Sequence, residues 1–151
     1  MSQAPPREHD QRVKDTLAKF ENEIDLWVAS SDATHGPYLI PLSFFWDGAG
    51  FLVSTPRNSV TGRNLLANGR VRLGVGQVRD VVMVDGVVRA LPAPGPTKAV
   101  GDAFAAKAGF DPRAQKEPYP FFHIRPQRIQ AWREVNEIAG RDLMRDGAWL
   151  P

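Results

Sequence analysis

The run Thr55-Pro56-Arg57-Asn58-Ser59-Val60-Thr61-Gly62-Arg63-Asn64 packs two guanidinium groups, three hydroxyls and two amides into ten residues. That chemistry suits an anion. Arginine presents a planar fork matched to phosphate, and hydroxyls and amides add further donors. Placement strengthens the point. Arg57 follows a strand end, and Ser59, Thr61, Arg63 and Asn64 fall on the first turn and a half of a helix. Free backbone N–H groups and the positive dipole end gather there. The run reads either as a phosphate cradle or as an ordinary basic surface with a capped helix, and residue types alone weigh the two evenly. Its surroundings are one-sided. From Gly48 to Arg79 there is no acidic residue, while Arg57, Arg63, Arg70, Arg72 and Arg79 all lie there.

Other chemistries find less support. The three histidines, His9, His35 and His123, share no metal-ligand spacing, and no Gly-x-Ser-x-Gly elbow occurs. With no cysteine, disulfides and thiolate metal sites are excluded. A nucleic-acid-binding barrel would interleave basic and aromatic residues on one face, and Arg57 to Arg79 contains no aromatic residue.

The elements that must position the cradle follow from hydrophobic spacing. Val13, Leu17, Phe20 and Ile24 recur at helical intervals and predict a helix over Glu8 to Asn22. Leu26 to Ser30 is a short strand. Pro37 to Trp46 is a second, with Pro41 marking an edge or a bulge. Asp47-Gly48-Ala49-Gly50 turns into a third strand, Phe51 to Thr55. A helix capped by Asn58 or Ser59 then runs to Asn68, with Gly69 as its left-handed terminator. Val71 to Val78 and Val81 to Leu91 form strands four and five, with a bulge at Asp85-Gly86. Thr97 caps a surface helix that turns Val100 and Phe104 inward and closes at Gly109. Phe121 to Arg133 is the last long strand, with a second bulge at Pro126. The tail from 135 to 151 is apolar enough to dock and carries no firm element.

Six strands with two or three outside helices predict a mainly β architecture, an antiparallel barrel, with a sandwich as the alternative. The chain divides into an N-terminal helix segment (1–24), a barrel (25–134) and the tail. Its 151 residues and 16.7 kDa suit one domain, and 42% hydrophobic against 24% charged residues is a globular composition. Thirteen Gly and thirteen Pro, spread along the chain, favour many short elements. The N-terminus has no apolar signal-peptide core, and no run approaches the roughly 18 apolar residues of a membrane span, so a cytoplasmic protein is expected.

The series Val28-Ala29-Ser30, Gly36-Pro37-Tyr38, Pro41-Leu42-Ser43-Phe44, Asp47-Gly48, Ser54-Thr55, Ser59, Arg63-Asn64-Leu65 and Arg70-Val71 resembles the pyridoxamine 5′-phosphate oxidase-like superfamily. The resemblance resumes at Phe121 to Pro126 and at Trp132-Arg133. It implies a six-stranded split barrel that forms a two-fold homodimer and binds FMN, or alternatively the deazaflavin F420, at the interface. In that family the phosphate lies after strand three, here Thr55, Arg57, Ser59, Arg63 and Asn64. The ring lies against strand two, here Pro41, Leu42, Ser43 and Phe44. Gln77 and Trp132 are weaker carry-overs. Thr61 stands where family members often carry Lys. The chain lacks the insertions and basic substrate pocket of a pyridoxine-pathway oxidase, so the resemblance is to the superfamily and not to that enzyme.

The expected function is a flavin-type oxidoreductase acting on a small molecule, with Phe44, Phe45, Trp46 and Trp132 as candidate pocket walls or core. A non-catalytic cofactor carrier or sensor is the alternative. No nucleic-acid or membrane partner is expected.

Overall fold

In a computed structural model, which describes residues 3–151, the first helix is α1 (His9–Asn22). Its inward stripe is Arg12, Thr16 and Phe20, four residues apart, with Val13 and Leu17 at its flank. The expected stripe is therefore rotated, and Ile24 lies beyond the helix, half exposed. The cause is Arg12. Its Nη1 donates to the carbonyls of Ala131, Glu137 and Gly140 at 3.0, 2.9 and 3.2 Å, which draws a charged side chain inward.

The strands are β1 (Asp25–Ser30), β2 (Tyr38–Trp46), β3 (Phe51–Ser54), β4 (Arg70–Gln77), β5 (Asp80–Ala90) and β6 (Phe121–Trp132). They pair antiparallel in the order β3-β2-β1-β4-β5-β6. Pairing of β3 with β6, from Phe51↔Ile124 to Ser54↔Phe121, closes the barrel. Alternating residues fill its interior. Phe20 sits among Phe44, Trp46 and Phe51, with Phe20–Phe51 and Phe20–Trp46 ring centroids 4.7 and 4.8 Å apart. Phe44 and Trp46 are thus core residues.

Two further helices flank the barrel. Helix α2 (Val60–Ala67) is capped by Ser59, whose Oγ accepts from Gly62 N. Gly69 does not take the expected left-handed conformation; the chain leaves α2 through Asn68 in an extended conformation and passes directly into β4. Helix α3 (Lys98–Ala108) starts at Thr97 and ends on a left-handed Gly109, as its residues predict. Phe104 joins Leu52 and Phe121 in a second apolar cluster, with Phe45, Leu91 and Val100 packed around it.

The bulges expected at Asp85-Gly86 and at Pro126 are one irregularity. Strand β5 pairs without interruption with β4. Against β6 the register steps from Asp85↔Arg128 to Gly86↔Pro126, which leaves Gln127 as the extra residue. The tail is more ordered than its residues suggest. After a short turn at Val135–Glu137 it forms β7 (Asp142–Arg145) and β8 (Ala148–Trp149), and β7 pairs with β6. Asp146 and Gly147, both at positive φ, make the two-residue loop between β7 and β8.

The N-terminal segment is tied to this tail; its residues 1 and 2 lie outside the described residues. Arg7 grips Glu137 with two parallel bonds, Nε to Oε2 at 2.9 Å and Nη2 to Oε1 at 2.7 Å. Glu137 also accepts from the backbone N–H of Arg7 and of Arg133. Arg7 and these N–H groups hold the Glu137 carboxyl at about 2, well below the usual carboxylate range. Among the described residues, no helix is long and apolar enough to cross a membrane.

A depressed folded-state pKa gives stability that is present above the unfolded value and lost as pH falls through the folded one. Unfolding by urea followed against pH should therefore show stability declining as pH drops from about 4.5 towards about 2. Glu137→Gln should cost about 1–3 kcal/mol at pH 7, because it removes the charged partner that Arg7 grips and leaves Asp15 as its close carboxylate, and should flatten that decline.

Candidate functional site

The site begins where β2 and β3 part. Phe44 N donates to Ile24 O at 3.0 Å. In an antiparallel ladder the residues facing one neighbour alternate, so Leu42 and Phe44 bond towards β1. Pro41 and Ser43 turn their backbone groups the other way, towards β3. But β3 pairs with β2 only from Phe44↔Val53 to Trp46↔Phe51. Past that point the Ser43 N–H and the Pro41 carbonyl face an opening. Pro41 has no N–H to lose, and its position on an unpaired edge is the one expected for it.

That opening is a cleft of about 320 Å³. Pro41, Leu42 and Ser43 line one side, Ser54, Thr55 and Pro56 the other. Phe104, Phe110 and Tyr119 cover it from α3 and the segment that follows. Asp25 lies at its mouth, where its Oδ1 accepts from Ser43 Oγ at 2.7 Å. Nearby, Lys107 Nζ sits 3.8 Å from the centroid of the Phe44 ring and donates to Phe20 O. Burial lowers the pKa of this amine, and Glu21, Glu23 and Asp25 partly restore it.

The cradle residues separate. Thr55 lines the cleft and Arg57 lines an adjoining groove. Ser59 is occupied in local structure: its Oγ donates to Pro56 O at 2.7 Å and accepts from Gly62 N at 3.0 Å. Asn64 is buried, and its Nδ2 donates to Ser30 Oγ at 3.1 Å, which ties α2 to β1. Thr61 is also buried and its hydroxyl has no partner. Arg63 is exposed on α2 and lines neither cavity. Phe44 packs inward, below the β2 edge. Gln77 and Trp132 line neither the cleft nor the groove. Each histidine has a hydrogen-bond partner: His9 with Leu150 O and His123 with Asp47, both far along the chain, and His35 with nearby Asp32.

Asp25, Phe104, Phe110 and Tyr119 are the residues that sequence reading missed. Phe104 was visible as an inward helix residue but not as a cleft wall. Tyr119 stands between Pro118 and Pro120, a rigid spacing that hints at a fixed ring but not at its target.

The donor set fits a flavin-type ring. A strand edge offering one N–H and one carbonyl can pair with the alternating acceptors and donor of a pyrimidine-dione edge, and Thr55 in the cleft and Arg57 in the adjoining groove add a hydroxyl and a guanidinium. Close packing holds the turn between them. A Cβ on Gly62 would overlap the Pro56 carbonyl and press on Arg57 O and Ser59 Oγ. Gly62→Ala should therefore destabilise the protein by about 1–3 kcal/mol, read as a lower thermal midpoint.

Comparison with known proteins bears on the fold and the family. A search of curated proteins finds no match. Solved structures share the fold. An F420 reductase is 21% identical with a TM-score of 0.62, and the match covers 74% of this chain and 93% of that one. A FAD-binding protein from Mesorhizobium loti is 21% identical with a TM-score of 0.63, covering 78% and 89%. HutZ, a heme storage protein from Vibrio cholerae, is 18% identical with a TM-score of 0.63, covering 80% and 94%. A family model described as pyridoxamine 5′-phosphate oxidase matches residues 13–133. The closed antiparallel barrel and that match together show that the chain belongs to the pyridoxamine 5′-phosphate oxidase family.

Proposed function

We propose that the chain binds a flavin-type cofactor in the cleft beside β2 and acts as an oxidoreductase on a small molecule. The observation that carries this reading is the interrupted β2–β3 ladder, which leaves the Ser43 N–H and the Pro41 carbonyl facing the cleft. The F420 reductase and the FAD-binding protein with similar folds support the cofactor class. When bound, such a ring accepts and returns a hydride. The protein then has to orient the ring and keep water from it. Ser43 fixes the ring edge, Thr55 and Arg57 hold the phosphate end, and Phe110 and Tyr119 shield the covered face.

The same reading includes a homodimer. A cleft of about 320 Å³ is at the small end for a ligand of this size, so a second wall has to come from elsewhere. Beside it lies an apolar sheet face. Trp27 pairs with Pro41 across β1 and β2, and Trp27 and Leu39 are 50% and 58% exposed. Gly74 on β4 adds no side chain next to Trp27. A partner chain seated on this face covers the exposed rings and walls the cleft at Pro41.

Titration of purified protein with FMN and with F420, followed by cofactor fluorescence, should give saturable binding in the micromolar range. Absence of binding by both overturns the reading. Ser43→Pro removes one N–H that faces the cleft and not the β1 ladder, so it should weaken binding at least about tenfold, or 1.4 kcal/mol, with the folded state confirmed by a cooperative thermal transition. Ser43→Ala should bind as the parent does. Light scattering should report twice 16.7 kDa. Trp27→Arg should bring the mass down to that of one chain and weaken cofactor binding with it. Turnover of the bound cofactor by an added acceptor separates the oxidoreductase from a carrier.

A further inference from the structure

We infer that the cofactor this site prefers is a flavin dinucleotide, with its adenylate half in a second groove beyond the phosphate; this rests on the cofactor reading above. The groove has a volume of about 680 Å³, roughly twice that of the cleft. Pro56 and Tyr119 line both cavities, so they form the ridge between them. A mononucleotide ends at that ridge and leaves the larger space empty.

The groove's surfaces suit a purine. Tyr119 from the segment before β6 brings an aromatic ring to the lining, and Pro94 from the connector after β5 and Pro118 bring apolar ring surfaces. Stacking on such faces holds a base without reading its edge. Charge argues in the same direction. Arg57, at the ridge, is exposed and has no acidic partner among the described residues. Arg113, also in the groove lining, is already held by Asp111 at 2.9 Å and Asp102 at 2.8 Å. Glu117 adds a further negative charge to the lining. One available cation at the ridge matches a pyrophosphate that crosses there. A tail of several carboxylates, as F420 carries, would meet Glu117 and an arginine already neutralised.

The test compares FAD, FMN and F420 by fluorescence titration of the full chain. FAD should bind at least about tenfold more tightly than FMN. Asn58→Trp supplies the control. Asn58 is exposed, lines the groove and does not line the cleft, so an indole there fills the groove without touching the ring site. This variant should lose the preference for FAD while binding FMN as the parent does. FMN binding as tightly as FAD, or an unchanged preference in Asn58→Trp, overturns the inference and leaves the cofactor reading standing. F420 binding more tightly than both overturns the adenylate assignment. Failure of all three to bind overturns the cofactor reading on which the inference stands.

Discussion

A closed barrel satisfies its backbone by pairing each strand with both neighbours, and beside the cleft that pairing stops short. Strand β2 has nine residues and β3 only four, so β3 can cover less than half of its neighbour. Ser54, the last residue of β3, is drawn instead towards β6, where it pairs with Phe121 and its hydroxyl donates to Pro120 O. Pro56 follows and the chain turns into α2. The edge of β2 from Pro41 to Ser43 is left without a strand partner. An edge of this kind is normally a liability, because unpaired N–H and C=O groups seek another chain or a ligand. Pro41 removes one donor from it. What is left is a short polar edge under an aromatic cover, and the site is built around it.

Two apolar clusters make that arrangement rigid. The larger fills the barrel and is sealed at one end by Phe20 of α1. The smaller lies outside, where α3 packs on Leu52, Phe45 and Phe121. Because Phe104 belongs to the smaller cluster and also lines the cleft, the packing that anchors α3 fixes the cleft wall as well. Elsewhere, Arg7, Arg12 and Glu137 weld the N-terminal segment to the end of β6 and to the tail. No residue of this polar network lines the cleft.

Much of the fold was legible from local chemistry. The Thr97 cap and Gly109 end of α3, the Ser59 cap of α2 and the edge position of Pro41 all follow from the conformations those residues favour. The misreadings share a different cause. The α1 stripe was rotated because three carbonyls from distant segments recruit Arg12, which no spacing rule foresees. Gly69 after a helix suggests a left-handed turn, which the immediate passage into β4 makes unnecessary. The tail hairpin had its signal in Asp146-Gly147, but with so few apolar residues on either side its strands depend on β6 for a partner. In the cradle, Ser59 and Asn64 spend their donors on the fold itself. A hydroxyl or amide looks the same in sequence whether it serves a helix cap or a ligand.

By itself the sequence determined the element types, the strand–helix junction after β3 and the concentration of arginine without acid around it. These depend on neighbours along the chain: capping, turn geometry and alternation. Tertiary structure decided which of those groups remain free. The cleft joins Asp25, Pro41 to Ser43, Thr55 and Tyr119, which are up to 94 residues apart and share no periodicity. They meet because β3 leaves β2 for β6 and α3 folds back over the gap, and long-range pairing of that kind is not written in any local pattern.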